Sequence, residues 1–308
     1  MKEFYSKTGE PFPITMILKI VNLSSSSWYG KIRRKPHPLK RGRKPVLTDD
    51  EVLNAIYKTL KNSKFKGEGY RKIWKRMQRK GIKVDKMRVN RIMKANNLLS
   101  PYRINIAKKS KSKHDGKIIT NKPNLMWGTD GKKFFTNEDG WCWLFAVIDH
   151  FNDEILGVSV VKIGNRFAAM EPIYAAIRNR FGNIEKDICK DMELQLRSDH
   201  GSQYDSKDFM NEMKFLGLKI SKSFVRSPEC NGCIERFNRT IQEEVFNINT
   251  FQNIEEARTV INTFINDYNN EWLIHRLGTL SPIEYINAFY KTFSTSYTNT
   301  ASKKAKTA

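Results

Sequence analysis

Residues 141–151, "WCWLFAVIDHF", decide the fold. The run is apolar almost without interruption, yet well short of the ~20 residues that span a bilayer. A strand with one wet face alternates polar and apolar residues, so a run this continuous fits a central strand covered on both faces. Upstream, "MWGTDGKKFF" (126–135) is a candidate strand around Asp130, and downstream "ILGVSVVK" (155–162) completes a three-stranded meander. The pattern then alternates. A helix is expected over 165–181, where Pro172 predicts a kink or a late start. A strand follows at 193–197. Next comes a helix capped by Ser206, with Phe209, Met213 and Leu216 on one face and Gly217 as its stop. "LKISKSF" (218–224) is a last strand, and the remainder reads as helical. Three antiparallel strands followed by alternating helices and strands predict an α/β layer built on a mixed five-stranded sheet.

Upstream of Pro123 the chain reads as all helical. Ile14, Ile17, Leu18 and Val21 follow helical spacing, and Ser24 is placed to cap a short second helix carrying Trp28 and Tyr29. Thr48 and Glu51 have capping-box spacing ahead of Val52, Leu53, Ile56 and Leu60. A further helix carries Tyr70, Ile73, Trp74 and Met77 and stops at Gly81. Asp85 caps another, which buries Val89, Ile92 and Met93 and carries Lys86, Arg88, Arg91 and Lys94 on its other side. This describes two helix-turn-helix modules, the second with a basic helix that could lie on DNA; Arg71 and Lys72 join the candidate DNA contacts. The alternative reading of such a charge run is a solvated helix face. The expected organisation is a first helix-turn-helix with a basic linker (1–45), a helical DNA-binding domain (46–100), a second basic linker (101–122), the α/β core with C-terminal helices (123–292) and a disordered tail (293–308).

The charge divides at the same place. Of a formal net charge of +23, residues 1–122 hold 33 Lys and Arg against 8 Asp and Glu, whereas residues 123–308 hold 22 against 24. The first part is thus a candidate polyanion binder and the second a nearly neutral globular core, in agreement with 39% hydrophobic residues overall. Four cysteines are too few for a disulfide scaffold and fit a reducing cytoplasm; nothing in the first residues reads as a signal peptide. Cys230 and Cys233 form a CxxC, but no second pair with metal spacing accompanies them, so no zinc site is expected.

Three acids occupy interpretable positions. Asp130 lies inside the first strand. Asp199, in "LRSDHGSQY" (196–204), follows the fourth, where open α/β sheets present their ligand crevice. Glu235 lies beside the apolar face of "NGCIERFNRTIQEEVF", with Arg239 and Gln242 further along the same side, and 35 residues separate it from Asp199. Oxygen ligands of this kind suit Mg²⁺, and paired ions suit in-line phosphoryl transfer. Singly, each acid is equally well a turn, cap or surface residue. Asp149 in "VIDHF" is the nearest competitor, and a structural role is expected for it.

Taken with "GEGYRKIWKRMQRKGIKVDKMRVNRIMKANNLLSPYR" (67–103), "NLMWGTDGKKFF" (124–135), "LFAVIDHF" (144–151), "ECNGCIERFNRTIQEE" (229–244) and "LGTLSPIEY" (277–285), these residues carry a resemblance. The chain resembles the bacterial insertion-sequence transposases of the DDE class, in the insertion sequence three family, and more narrowly the product of that family's second reading frame. The resemblance implies an RNase H-like core related to retroviral integrases, with Asp130, Asp199 and Glu235 as catalytic, metal-binding residues. It implies Mg²⁺, with Mn²⁺ able to substitute, and cleavage and joining of double-stranded DNA at element ends and target. It further implies a homo-oligomer on DNA, an upstream-frame partner or fusion, no membrane association, and a bacterial cytoplasmic, nucleoid-associated location. The pattern departs in two places. Gln242 stands where the family carries Lys or Arg, so Arg236 or Arg239 is expected to contact DNA with it, and "YNNEWLIHRLG" (268–278) lacks the family's Arg-Pro-His. A non-catalytic DNA-binding regulator, or an inhibitory partial product, is the alternative.

Overall fold

The computed structural model describes residues 12–33, 46–102, 120–199, 201–222 and 231–292. Expectations for the linkers at 34–45 and 103–119, the tail at 293–308 and Cys230 lie outside them. The chain divides into two compact units, Met1–Thr48 and Asp49–Ala308.

In the first unit, α1 (Ile14–Ile20) buries Leu18 and α2 (Ser25–Arg33) begins where Ser24 Oγ accepts the Ser27 amide at 3.1 Å. The second unit opens with α3 (Asp49–Lys61), α4 (Tyr70–Arg79) and α5 (Lys86–Ala95), which close on Val52, Ile56, Ile73, Met77, Val89 and Met93. The start of α5 is set by Asp85, whose carboxylate accepts the amides of Met87 and Arg88.

The core follows: β1 (Met126–Thr136), β2 (Gly140–Asp149), β3 (Ile155–Val161), α6 (Arg166–Phe181), β4 (Gln195–Ser198), α7 (Lys207–Phe215), β5 (Lys219–Lys222), α8 (Gly232–Ile241), a π-helical turn (Gln242–Phe246), α9 (Ile254–Glu271) and α10 (282–292). The strands form one mixed sheet in the order β3-β2-β1-β4-β5, with β1, β2 and β3 antiparallel and β1, β4 and β5 parallel. This is the RNase H-like arrangement, with the helical region ahead of it.

β2 is covered on both faces, as its composition demands. Cys142, Leu144, Ala146 and Ile148 face a cluster completed by α8 and α9, while Phe145 and Val147 face another completed by α6 and α7. Burying two sheet faces is what turns an alternating pattern into a continuous apolar one.

Two local expectations change. The helix α6 begins at Arg166, six residues before Pro172, so there is no late start. Glu193 lies outside the fourth strand at φ 54°, turned by its amide's bond to the Lys190 carbonyl, and the strand begins two residues later.

The α3–α5 helices pack on this core inside one unit. Phe65, between α3 and α4, is buried in the α8–α9 cluster and meets Trp272 edge-on at 4.8 Å. The carboxylate of Glu244, in the π-turn, accepts the amides of Lys66 and Gly67 at 2.7 and 2.8 Å. No helix among the described residues is long and apolar enough to cross a membrane.

Candidate active site

Strand pleating places Asp130 on the face of β1 that meets α8. A Cβ at Gly128 would come within 2.8 Å of Asn231 Oδ1, at the start of α8; Phe134 stacks on Phe246 of the π-turn at 5.1 Å. Between them, Asn238 Nδ2 donates to Asp130 Oδ2 at 2.7 Å. The helix and the strand therefore run side by side in the same direction. The other oxygen, Asp130 Oδ1, accepts the Gly131 amide at 2.8 Å.

Asp199 is the first residue beyond β4. The parallel register pairs Gly128 with Arg197, so continuing it by two residues sets Asp199 level with Asp130. Its Oδ1 accepts the Gly201 amide at 3.0 Å, and the turn closes through the Tyr204 amide on the Gly201 carbonyl. Tyr204 itself is fully buried against Phe209 and anchors this loop from below. Glu235 comes from the first turn of α8, exposed, with Arg239 one turn on.

Electrostatics ties the acids together. Burial raises the Asp130 carboxyl to about 6, and the neighbouring Asp199 adds to the rise. The Gly131 and Asn238 hydrogen bonds oppose it, and Glu235 contributes a smaller push upwards. Burial also raises Glu235, against the opposing charge of Arg239. Asp130 and Glu235 share an open cleft of about 630 Å³ with Lys132, Asn238, Arg239 and Gln242. The fold thus brings Asp130, Asp199 and Glu235 into one neighbourhood. It does not set them around a single point, for among the described residues no three His, Cys, Asp or Glu side chains are gathered closely enough to hold a metal ion.

Two site residues escape the sequence reading, although their spacing signals them. Asn238 is three residues after Glu235, hence on the same helix face, and Lys132 is two residues after Asp130, hence on the same strand face. Asp149 has the structural role expected of it, fully buried and accepting the amides of Phe151 and Asn124 at 2.9 and 3.0 Å.

The expected DNA contacts divide. Lys94 and Lys86 are exposed, the latter 5.9 Å from the Trp74 ring centre, and Arg71 is exposed beside Tyr70. Lys72 is corrected. Its ammonium is buried over the Trp272 ring, 2.7 Å from the centre, as part of the packing between α4 and the core. Nor are Arg88 and Arg91 a bare basic face, because both hold Asp49, at 2.6 and 2.7 Å. Arg239 and Gln242 line the cleft, whereas the charge of Arg236 bears on Cys233 and Tyr268 on its other side.

Residues 216–282 match a family model described as an integrase core domain, and residues 48–104 match one described as an HTH-like domain. The chain is 28% identical, over 89% of its length and 90% of the relative's, to the transposase InsD of insertion element IS2 from Escherichia coli. It is 25% identical, over 91% and 95%, to a protein described as a transposase, InsK, of insertion sequence element IS150 from Escherichia coli strain K12. Among solved structures it is similar to the HTLV-2 integrase catalytic core domain, at 17% identity and a TM-score of 0.40, covering 53% of this chain and 96% of that one.

Proposed function

We infer that this chain, an insertion-sequence transposase with an HTH-like domain and an integrase core, cuts and joins DNA at its element's ends with Asp130, Asp199 and Glu235 as the metal-holding acids. The observation that carries the assignment is the half-buried Asp130 at mid-strand, with Asp199 level with it on the adjacent parallel strand and Glu235 across the cleft. Burial first, then the charge of Asp199 and more weakly that of Glu235, raises the Asp130 carboxyl to about 6, so it is partly protonated around that pH. An all-oxygen donor set fits a hard divalent cation, Mg²⁺ or Mn²⁺, better than zinc, which favours His and Cys. When bound, such ions supply Lewis-acid activation of the attacking oxygen, water or a 3′-hydroxyl, and neutralise charge on the leaving one.

The chain's own residues supply orientation. Asn238 and the Gly131 amide fix both oxygens of Asp130, and the Gly201 amide fixes one of Asp199, so neither carboxylate must be frozen when substrate arrives. Arg239 and Gln242 stand beside Glu235 to meet the DNA backbone, and exposed Lys86, Lys94 and Arg71 supply attraction from the helical module. The strongly basic residues 1–122 support duplex DNA as the partner and a cytoplasmic, nucleoid-bound location. Homo-oligomerisation on paired ends, with or without an upstream-frame partner, completes the reading.

The test is Mg²⁺- or Mn²⁺-dependent cleavage of duplexes carrying the gene's own flanking ends, comparing wild type with Asp199→Asn. Cleavage by wild type, lost in the variant with duplex binding retained, is the expected result. Equal cleavage by both removes Asp199 from the chemistry. Binding without cleavage by either, also after fusion to the upstream frame, makes the chain a DNA-binding regulator.

A further inference from the structure

Beside the acids the cleft holds a cation that, among the described residues, has no hydrogen bond or ion pair, only the charge of Asp130 acting on it. Lys132 is half-buried and lines the same cleft as Asp130, Glu235, Arg239 and Gln242. Among the described residues it makes no hydrogen bond or ion pair, unlike the lysines engaged elsewhere: Lys72 on Trp272, Lys64 on Asp267 and Glu271, Lys219 on Glu193.

Its position is fixed by the strand. In β1, Gly128, Asp130, Lys132 and Phe134 point to one face, and contacts at both ends identify that face: Gly128 at Asn231, Phe134 on Phe246. Lys132 therefore lies one pleat beyond Asp130, on the stretch of α8 that carries Arg239 and leads into Gln242. The residues either side face the other way. A Cβ on Gly131 would strike the Phe145 ring at 2.5 Å, and Lys133 lies over the Trp143 ring at 4.9 Å; both aromatics belong to the opposite face. The sequence "GTDGKKFF" thus carries two adjacent lysines of which one enters the cleft.

This half-buried ammonium is desolvated with only the charge of Asp130 to offset part of the cost, and a ligand's anion would offset the rest. Apart from Glu243, which has an interaction of its own, the acids lining the cleft are those read as metal ligands, so the anion left for Lys132 is the substrate's phosphodiester. We propose that Lys132 binds a backbone phosphate of the DNA strand being processed, beside the reacting phosphate and together with Arg239. Lysine acts there as a point charge that fixes the strand's register against the acids and carries no base information. The inference rests on the reading of the cleft as the DNA-processing site.

The test separates the two. Binding of the full chain to duplexes carrying the gene's flanking ends is measured in EDTA across a range of salt. Single-turnover cleavage is measured with Mn²⁺, for wild type, Lys132→Gln, Lys132→Arg and Lys133→Gln. Losing one phosphate contact lowers the slope of log affinity against log salt by about 1. Lys132→Gln is expected to show that loss and to cleave about 10- to 100-fold more slowly, the range of one hydrogen bond to a charged group. Lys132→Arg should recover most of the slope, and Lys133→Gln should match wild type in both assays. An unchanged slope for Lys132→Gln, or equal losses for Lys132→Gln and Lys133→Gln, overturns the proposal. Should wild type bind without cleaving, also after fusion to the upstream frame, the catalytic reading fails, and the slope in EDTA still judges Lys132.

Discussion

Replacing Asp130 with Asn removes a charge that the fold holds unfavourably. The carboxyl titrates at about 6 against 3.8 for an unburied aspartate, chiefly through burial and then through Asp199. That difference corresponds to about 3 kcal/mol. The native state binds this proton more tightly than the unfolded chain does. Wild type is therefore unaffected below about pH 4, loses stability as pH rises through about 6, and stays lower above it. Asparagine has no proton to lose. Its Oδ1 can keep the Gly131 bond, and its Nδ2 then faces Asn238, whose side-chain amide must turn over to accept with its oxygen; what Asn238 gives the charged carboxylate is already included in the wild-type shift. The expected outcome is that Asp130→Asn is more stable than wild type by about 3 kcal/mol at pH 8, with the gain absent near pH 4. For a unit of this size that is several degrees in Tm. Urea denaturation in EDTA at the two pH values measures it. Asp149, which burial also raises to about 6, titrates in both proteins and cancels from the difference. Adding Mg²⁺ in place of EDTA should stabilise wild type and leave the variant nearly unmoved. A difference independent of pH, or a variant less stable at pH 8, refutes the account of Asp130 as a half-buried, charge-frustrated carboxylate.

Two further substitutions probe how the helical module meets the core. Glu244→Ala orphans the amides of Lys66 and Gly67 and should lower stability by about 2–4 kcal/mol; an unchanged urea midpoint would show that the clasp carries no weight. Asp49→Asn releases Arg88 and Arg91, so duplex binding should tighten and its salt dependence steepen. The same slope in both proteins would mean that this side of α5 does not meet DNA.

The order of strands and helices was legible from the sequence because local rules set it. Continuous apolar character at 141–151 fixed a doubly covered strand, alternation and turn residues bounded its neighbours, and Ser24, Asp85 and Ser206 each accept amides as capping requires. Spacing alone left the roles of the three acids open, and the resemblance singled them out. Their relation in space was legible in neither. Nothing local links Asp130 to Asp199, 69 residues on; they stand level because β4 crosses over to pair with β1 in parallel. Side-chain partners are likewise set across the fold. Lys72 reads as one cation in a basic helix, and only the arrival of Trp272 from beyond α9 buries it. Asp49 withdraws Arg88 and Arg91 from what reads as a bare basic face. The two lysines of "GTDGKKFF" are indistinguishable by composition; the pleat separates them, but which face holds the cleft was decided by α8 packing against β1. Periodicity and capping act over a few residues and the sequence records them directly, whereas the partners of a charged side chain are chosen by elements tens or hundreds of residues away.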